Sequence, residues 1–200
     1  MPFGLVPITT HSAVQPLSNS YLGTCLLFAA IGLTVSGAVV AFPDGPEPGY
    51  TGGKGFEDCS GCHFAGPPPS TGSGIELTGL AEQMVPGERY QITIEVRDAE
   101  QQVGGFQLAI RNLSSLASDG QFVEREGLRT LVDANVTFLS HSEPQRAEQQ
   151  GDHQLTRWQF EWVAGSAKKV ELSVAAVAAD GDDSSLGDNV YTFSRIISTN

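Results

Sequence analysis

Cysteine is scarce in this chain: 3 of 200 residues. That is too few for a disulfide-stapled scaffold. Basic side chains are scarce as well, with 11 Lys and Arg against 23 Asp and Glu, a formal net charge of −12 and a pI near 4.6. A nucleic-acid partner is therefore not expected, because binding a phosphate backbone needs a basic patch to release counterions. No stretch shows a helical apolar period longer than roughly three turns, which argues against an α-helical architecture. No Gly-x-Ser-x-Gly elbow and no phosphate-binding Gly loop followed by Lys is found. What is present is 40% apolar residues, too many for a disordered chain. The length suits one ordinary domain plus appendages.

Charge of either sign is also missing before Asp44. An apolar run over residues 22–42 ends in Val39-Val40-Ala41, a small-x-small junction suited to signal peptidase, and Pro43 follows. Residues 1–41 read as an export signal that is removed. An uncleaved anchor is the alternative, since the run is almost long enough to span a bilayer. Residues 2–21 hold no Lys or Arg, which departs from the usual start of such a signal. The mature protein is expected to be periplasmic, cell-surface or secreted, with a membrane contact only if the segment stays uncleaved. His11 and Cys25 leave with the signal, so Cys59 and Cys62 remain. Three positions apart, they cannot staple distant segments.

Residues 42–74 are rich in Gly and Pro and carry no apolar period. They read as an irregular segment, mobile unless something organises it. From residue 75 the pattern changes. Apolar and polar residues alternate over 90–97, 106–111, 158–162 and 170–174, and more weakly over 136–140 and 190–193. Period-2 alternation marks strands with one buried face. Turn signals separate them at Pro86-Gly87, Gly104-Gly105, Asp119-Gly120, Gly165-Ser166 and Asp180-Gly181-Asp182-Asp183. Residues 128–134 are ambiguous between a strand and a helical turn. The expected fold is all-β, an immunoglobulin-like antiparallel β-sandwich over residues 75–200, preceded by the irregular segment.

The chemistry concentrates in Cys59-Ser60-Gly61-Cys62-His63. In an exported chain Cys-x-x-Cys-His is the attachment signature of haem c. Each thiol adds to one porphyrin vinyl group, two intervening residues set the sulfur separation, and His63 is the proximal iron ligand. A thioredoxin-like dithiol would need a βαβ setting, and zinc would need a fuller ligand set. Zinc and a local disulfide remain the minor alternatives. For the distal axial position His141 is favoured, at the edge of a polar loop; Met84, His153 and an open or water-bound site are the others. Phe56 and Phe64 flank the motif and are candidate haem contacts, or else tack the loop onto the sandwich. Trp158 and Trp162 share a face and read as core. Asp180, Asp182, Asp183 and Asp188 lack the spacing of an EF-hand calcium loop and read as a solvated hairpin loop.

These residues carry a resemblance. Thr51-Gly52-Gly53, Gly55-Phe56-Glu57-Asp58 before the Cys motif, Val85-Pro86-Gly87 with Tyr90, and Gly105-Phe106-Gln107 belong to it, as do Gly120, Ser140-His141-Ser142, Trp158-Gln159-Phe160-Glu161-Trp162 and Asp188 with Tyr191. Over residues 45–195 the chain resembles bacterial exported proteins with a Reeler-like sandwich, the choice-of-anchor V domain family. The resemblance implies an immunoglobulin-like sandwich with a haem-bearing N-terminal loop, and it strengthens His141. Such proteins often end in a surface-anchoring tail; Ile196-Ile197-Ser198-Thr199-Asn200 has no apolar anchor, so attachment by that route is not expected.

The expected function is that of an exported monohaem c-type cytochrome domain passing single electrons, with a basic redox partner protein steered by the acidic surface. The alternative is an adhesion or matrix-binding sandwich in which the haem is a structural staple. An enzyme is not expected, because no distal acid–base pair is visible.

Overall fold

The computed structural model describes Phe42 and residues 44–199. The expected export signal, residues 1–41, lies outside the described residues. A 3-10 turn at Cys59–Gly61 precedes β1 (Ser70–Thr71), β2 (Ile75–Thr78), β3 (Gln83–Met84), β4 (Arg89–Asp98), β5 (Val103–Asn112), β6 (Gln121–Val123) and β7 (Leu128–Asp133). There follow β8 (Val136–His141), β9 (Gln145–Arg146), β10 (Glu148–Gln150), β11 (His153–Val163), β12 (Lys169–Ala179) and β13 (Asn189–Thr199). No helix among the described residues is long and apolar enough to cross a membrane.

The strands form two sheets. One runs β1-β13-β12-β5-β8-β7, with β3 also on β13 and β9 also on β5. The other runs β10-β11-β4-β2, with β6 also on β11. All the long pairings are antiparallel, and only the two-residue β1 and β3 join β13 in parallel. The expected all-β, immunoglobulin-like antiparallel sandwich is the observed fold. Residues 128–133 resolve as β7 with Ala134 in the turn that follows, and the weak pattern at 190–193 belongs to the full-length β13.

The core follows from alternation. Ile92, Ile94 and Val96 of β4 and Trp158, Phe160 and Trp162 of β11 meet Phe106, Leu108 and Ile110 of β5 and Val170, Leu172 and Val174 of β12. Both Trp residues thus serve the core, as their spacing implies.

The opposite face of β5 and β12 is buried as well. Gln107, Ala109, Arg111, Ser173, Ala175 and Val177 are all buried although they point away from the core. The Gly/Pro-rich segment covers them. Before β1 its backbone joins no strand ladder, so several of its polar groups take side-chain partners instead. Gln107 Oε1 accepts from the N–H of Gly49 (2.9 Å) and Tyr50 (2.6 Å), and its Nε2 donates to Glu47 O (2.8 Å). Arg111 donates to Lys54 O (2.8 Å), Arg129 donates to Gly45 O (2.6 Å), and Thr51 and Ser173 share a hydroxyl bond (3.0 Å). The segment is therefore part of the sandwich unit and is organised by it.

Gly104 and Gly105, expected to mark a turn, lie inside β5. Their purpose is close approach. A Cβ on Gly104 would sit 2.8 Å from Thr156 Oγ1, and one on Gly105 would sit 2.5 Å from His141 Cε1.

One buried carboxylate ties the sheets together. Asp98, the last residue of β4, accepts from Tyr191 Oη (2.6 Å) and Asn189 Nδ2 (2.7 Å) at Oδ2, and from Glu100 N–H (2.8 Å) at Oδ1. Burial pushes its carboxyl up, but the bonds from Tyr191, the Glu100 backbone, Asn189 and the Gln101 backbone outweigh that and hold it below the usual range.

Two outcomes follow from these ties. Gln107→Ala leaves the Gly49 and Tyr50 N–H groups without their acceptor; a loss of about 1–3 kcal/mol is expected by urea unfolding, with faster proteolysis before Cys59. Asp98 binds protons more weakly folded than unfolded, so its stabilisation is present above the ordinary carboxylate value of about 4 and is lost as pH falls through the depressed one. Asp98→Asn should be less stable at pH 7 and show a shallower loss on acidification, measured by unfolding at stepped pH.

Candidate cofactor site

The site begins with a local turn. Asp58 caps the Cys59–Gly61 turn, its Oδ1 accepting Ser60 N–H at 2.8 Å. Cys62 N–H and His63 N–H both donate to Cys59 O, at 3.2 and 2.9 Å. This tight winding brings both thiols and the imidazole to one cavity of about 460 Å³. Cys59 packs against Ala175, Val177 and Val190 on the covered face of the sheet. Burial, then the charges of Asp58 and Cys62, push its thiol up to about 12. Both cysteines are free thiols. Among the described residues no group of three or more His, Cys, Asp and Glu is placed to hold a metal ion.

His63 Nδ1 lies 2.6 Å from Asp188 Oδ2, and the Asp188 side chain is only 1% exposed. A carboxylate oxygen accepts, so Nδ1 donates, and in the neutral ring Nε2 keeps a free lone pair. Two backbone bonds clip the loops that carry this pair. Phe64 N–H donates to Ser185 O (3.2 Å), and Gly187 N–H donates to Phe64 O (2.9 Å).

His141 also lines the cavity, arriving from the end of β8. Its ring fills a break in a ladder. β8 pairs with β5 from Gln107 to Ala109, and β9 takes over at Gly104 and Val103, which leaves Gly105 and Phe106 between them. His141 Nδ1 lies 2.9 Å from Phe106 N and 3.1 Å from Phe106 O. If Phe106 N–H donates, the ring proton sits on Nε2; if Nδ1–H donates to Phe106 O, Nε2 is free for a metal, the usual arrangement of a ligating histidine. Burial pushes this imidazole down, the Phe106 bond opposes that, and the charges of Arg129 and His63 push it further down. It is thereby held in the neutral form that can act as a ligand.

The remaining expectations are redirected. Met84 is fully buried in the core between the sheets, and His153 is exposed opposite Gln150 in the β10–β11 hairpin; neither lines the cavity. Phe56 packs edge-on against Phe138 (5.1 Å) with the Arg111 guanidinium 4.2 Å above its ring, so it tacks the segment onto the sheet. Phe64 is 43% exposed and its ring is absent from the cavity wall. Asp188, expected in a solvated loop, is buried against His63, while Asp180, Asp182 and Asp183 stay exposed.

Haem c fits this donor set. The thiols have the attachment spacing, His63 offers Nε2, and His141 supplies a second imidazole. The walls are mostly apolar, from Tyr50, Val103, Phe106, Val177 and Ala179 among others. The volume falls in the roughly 300–1,000 Å³ range of cofactor sites. Gly105 keeps open the space that a Cβ would take from the His141 ring.

No family model and no curated protein matches the chain. Among solved structures, the human F-spondin reeler domain is similar at 18% identity and a TM-score of 0.48, over 68% of this chain and 96% of that one. A Reelin-N domain of F-spondin gives 18% and 0.49 over 68% and 93%. A fibronectin-binding AAF fimbrial protein of enteroaggregative Escherichia coli gives 11% and 0.33 over 63% and 99%. At TM-scores under 0.5 these likenesses carry no argument about function.

With haem loaded, His141→Ala is expected to convert the absorption spectrum from six- to five-coordinate while His153→Ala leaves it unchanged. An unaltered His141→Ala spectrum would exclude His141 as the ligand.

Proposed function

We propose that this protein is an exported monohaem c-type cytochrome domain, and that it belongs with the Reeler-like, choice-of-anchor V proteins its sequence resembles. Cys59 and Cys62 would hold the haem covalently, and His63 and His141 would be its axial ligands. The observation that carries this reading is the convergence of four side chains from two distant parts of the chain on one largely apolar cavity. A cofactor bound there supplies one-electron chemistry. The chain's own residues orient the two imidazoles and, in the neutral ring, keep Nε2 of His63 free through Asp188. A basic protein is the redox partner favoured by an overall charge of −12.

A second reading, a binding sandwich with haem as a staple, has one observation in its favour. No residue of β2, β4, β10 or β11 lines the cavity, so a whole sheet is spare to the site. Against the staple stands the anchoring of the segment by Gln107, Arg111, Arg129 and Ser173, none of which bears the cofactor.

Produced with the c-type maturation machinery, the protein should gain the mass of one haem that survives acid–acetone extraction. It should also give a c-type pyridine haemochrome, and Cys59→Ser with Cys62→Ser should abolish both. No covalent haem in the parent protein would end the cytochrome reading. Covalent haem that exchanges electrons with no soluble carrier, basic cytochromes included, would leave the staple.

A further inference from the structure

We infer that Asp188 is a positioning residue that lowers the reduction potential of the site by polarising His63. The inference rests on the haem reading above.

Three observations combine. The first is contact: Asp188 Oδ2 accepts the Nδ1 proton of His63 at 2.6 Å, and the carboxylate side chain is 1% exposed. Shielding from water strengthens the interaction by lowering the local dielectric. The second is rigidity on both sides. The Phe64 bonds to Ser185 and Gly187 fix the His63 loop against the Asp188 loop. Asn189 and Tyr191, just beyond Asp188, are both held by Asp98. Backbone packing is close as well: a Cβ on Gly66 would lie 2.5 Å from Asp188 O. The third is contrast. Asp180, Asp182 and Asp183, in the same connection, are exposed, so the burial of Asp188 is particular to its partner.

The electronic consequence follows from the geometry. A carboxylate pulling on Nδ1–H raises electron density on the ring and makes Nε2 a stronger donor. A stronger donor favours the iron state of higher charge. The oxidised form would thereby be stabilised and reduction made less favourable, because hydrogen bonds to an axial ligand are a recognised lever on such potentials.

The experiment compares the haem-loaded parent, Asp188→Asn and Asp188→Glu by spectroelectrochemical titration, with attachment checked by mass and coordination by absorption spectrum. Asparagine keeps the shape and removes the charge. For Asp188→Asn with haem attached and coordination unchanged, the equilibrium constant for reduction should rise about tenfold, or about 59 mV for one electron. A change below twofold would overturn the inference while leaving the haem reading intact. If Asp188→Asn takes up no haem, Asp188→Glu decides: restored attachment with a parent-like potential supports a carboxylate at this position, and failure of that rescue overturns it. A parent protein without covalent haem overturns both the haem reading and this inference.

Discussion

The candidate cofactor site depends on the burial of a sheet's second face. A two-sheet sandwich normally buries one face of each sheet and leaves the other in water. Here β5 and β12 are covered on both sides, by the other sheet and by the Gly/Pro-rich segment. That segment forms only short secondary structure before β1, so its placement relies on side chains reaching out of the sheet. Gln107 answers four of its backbone groups, Arg111 holds one carbonyl and Arg129 holds two. The cavity is the space left where this cover meets the Gly104-Gly105 end of β5. A cofactor there would rest on a rigid sheet on one side and a tethered loop on the other.

A single strand coordinates the scaffold with the chemistry. At the start of β13 alternate residues serve opposite sides. Asn189 and Tyr191 bind Asp98 and so join this sheet to the end of β4. Val190 packs on Cys59, and Asp188, just ahead, binds His63. Two carboxylates thus act on one short stretch. One fixes where the backbone lies, and the other holds the imidazole. Neither role would be served by an exposed acid, since water would compete for both.

Much of the framework was legible in the chain because the alternation of β4 and β11 is a local pattern with one wet face. The Cys-x-x-Cys-His motif was legible for a similar reason: its spacing is a local geometric requirement. Other features depend on contacts between distant segments. Gly104-Gly105 has the composition of a turn, yet the pair sits in a strand because Thr156 and the His141 ring press on it. Asp188 shares its loop with three solvated acids and differs from them only in what folds against it. One signal did exist. β12 loses its alternation at Val174-Ala175-Ala176-Val177-Ala178-Ala179, and a run of small apolar residues in a strand implies cover on both faces. That run marks where the segment would have to lie. Met84 looked like a possible ligand beside a turn, and only its partnership with β13 shows it to be core.

The short parallel strands have a consequence for how copies of the protein behave together. β1 sits on β13 at Tyr191 and Thr192, and β3 sits on it at Ser198 and Thr199, near the two ends of the strand. An open outer strand offers a row of unpaired donors and acceptors to any neighbouring chain. With both ends of β13 already occupied, a foreign strand finds only a short interrupted stretch between them. The two short strands therefore blunt this flank as a template for edge-to-edge pairing.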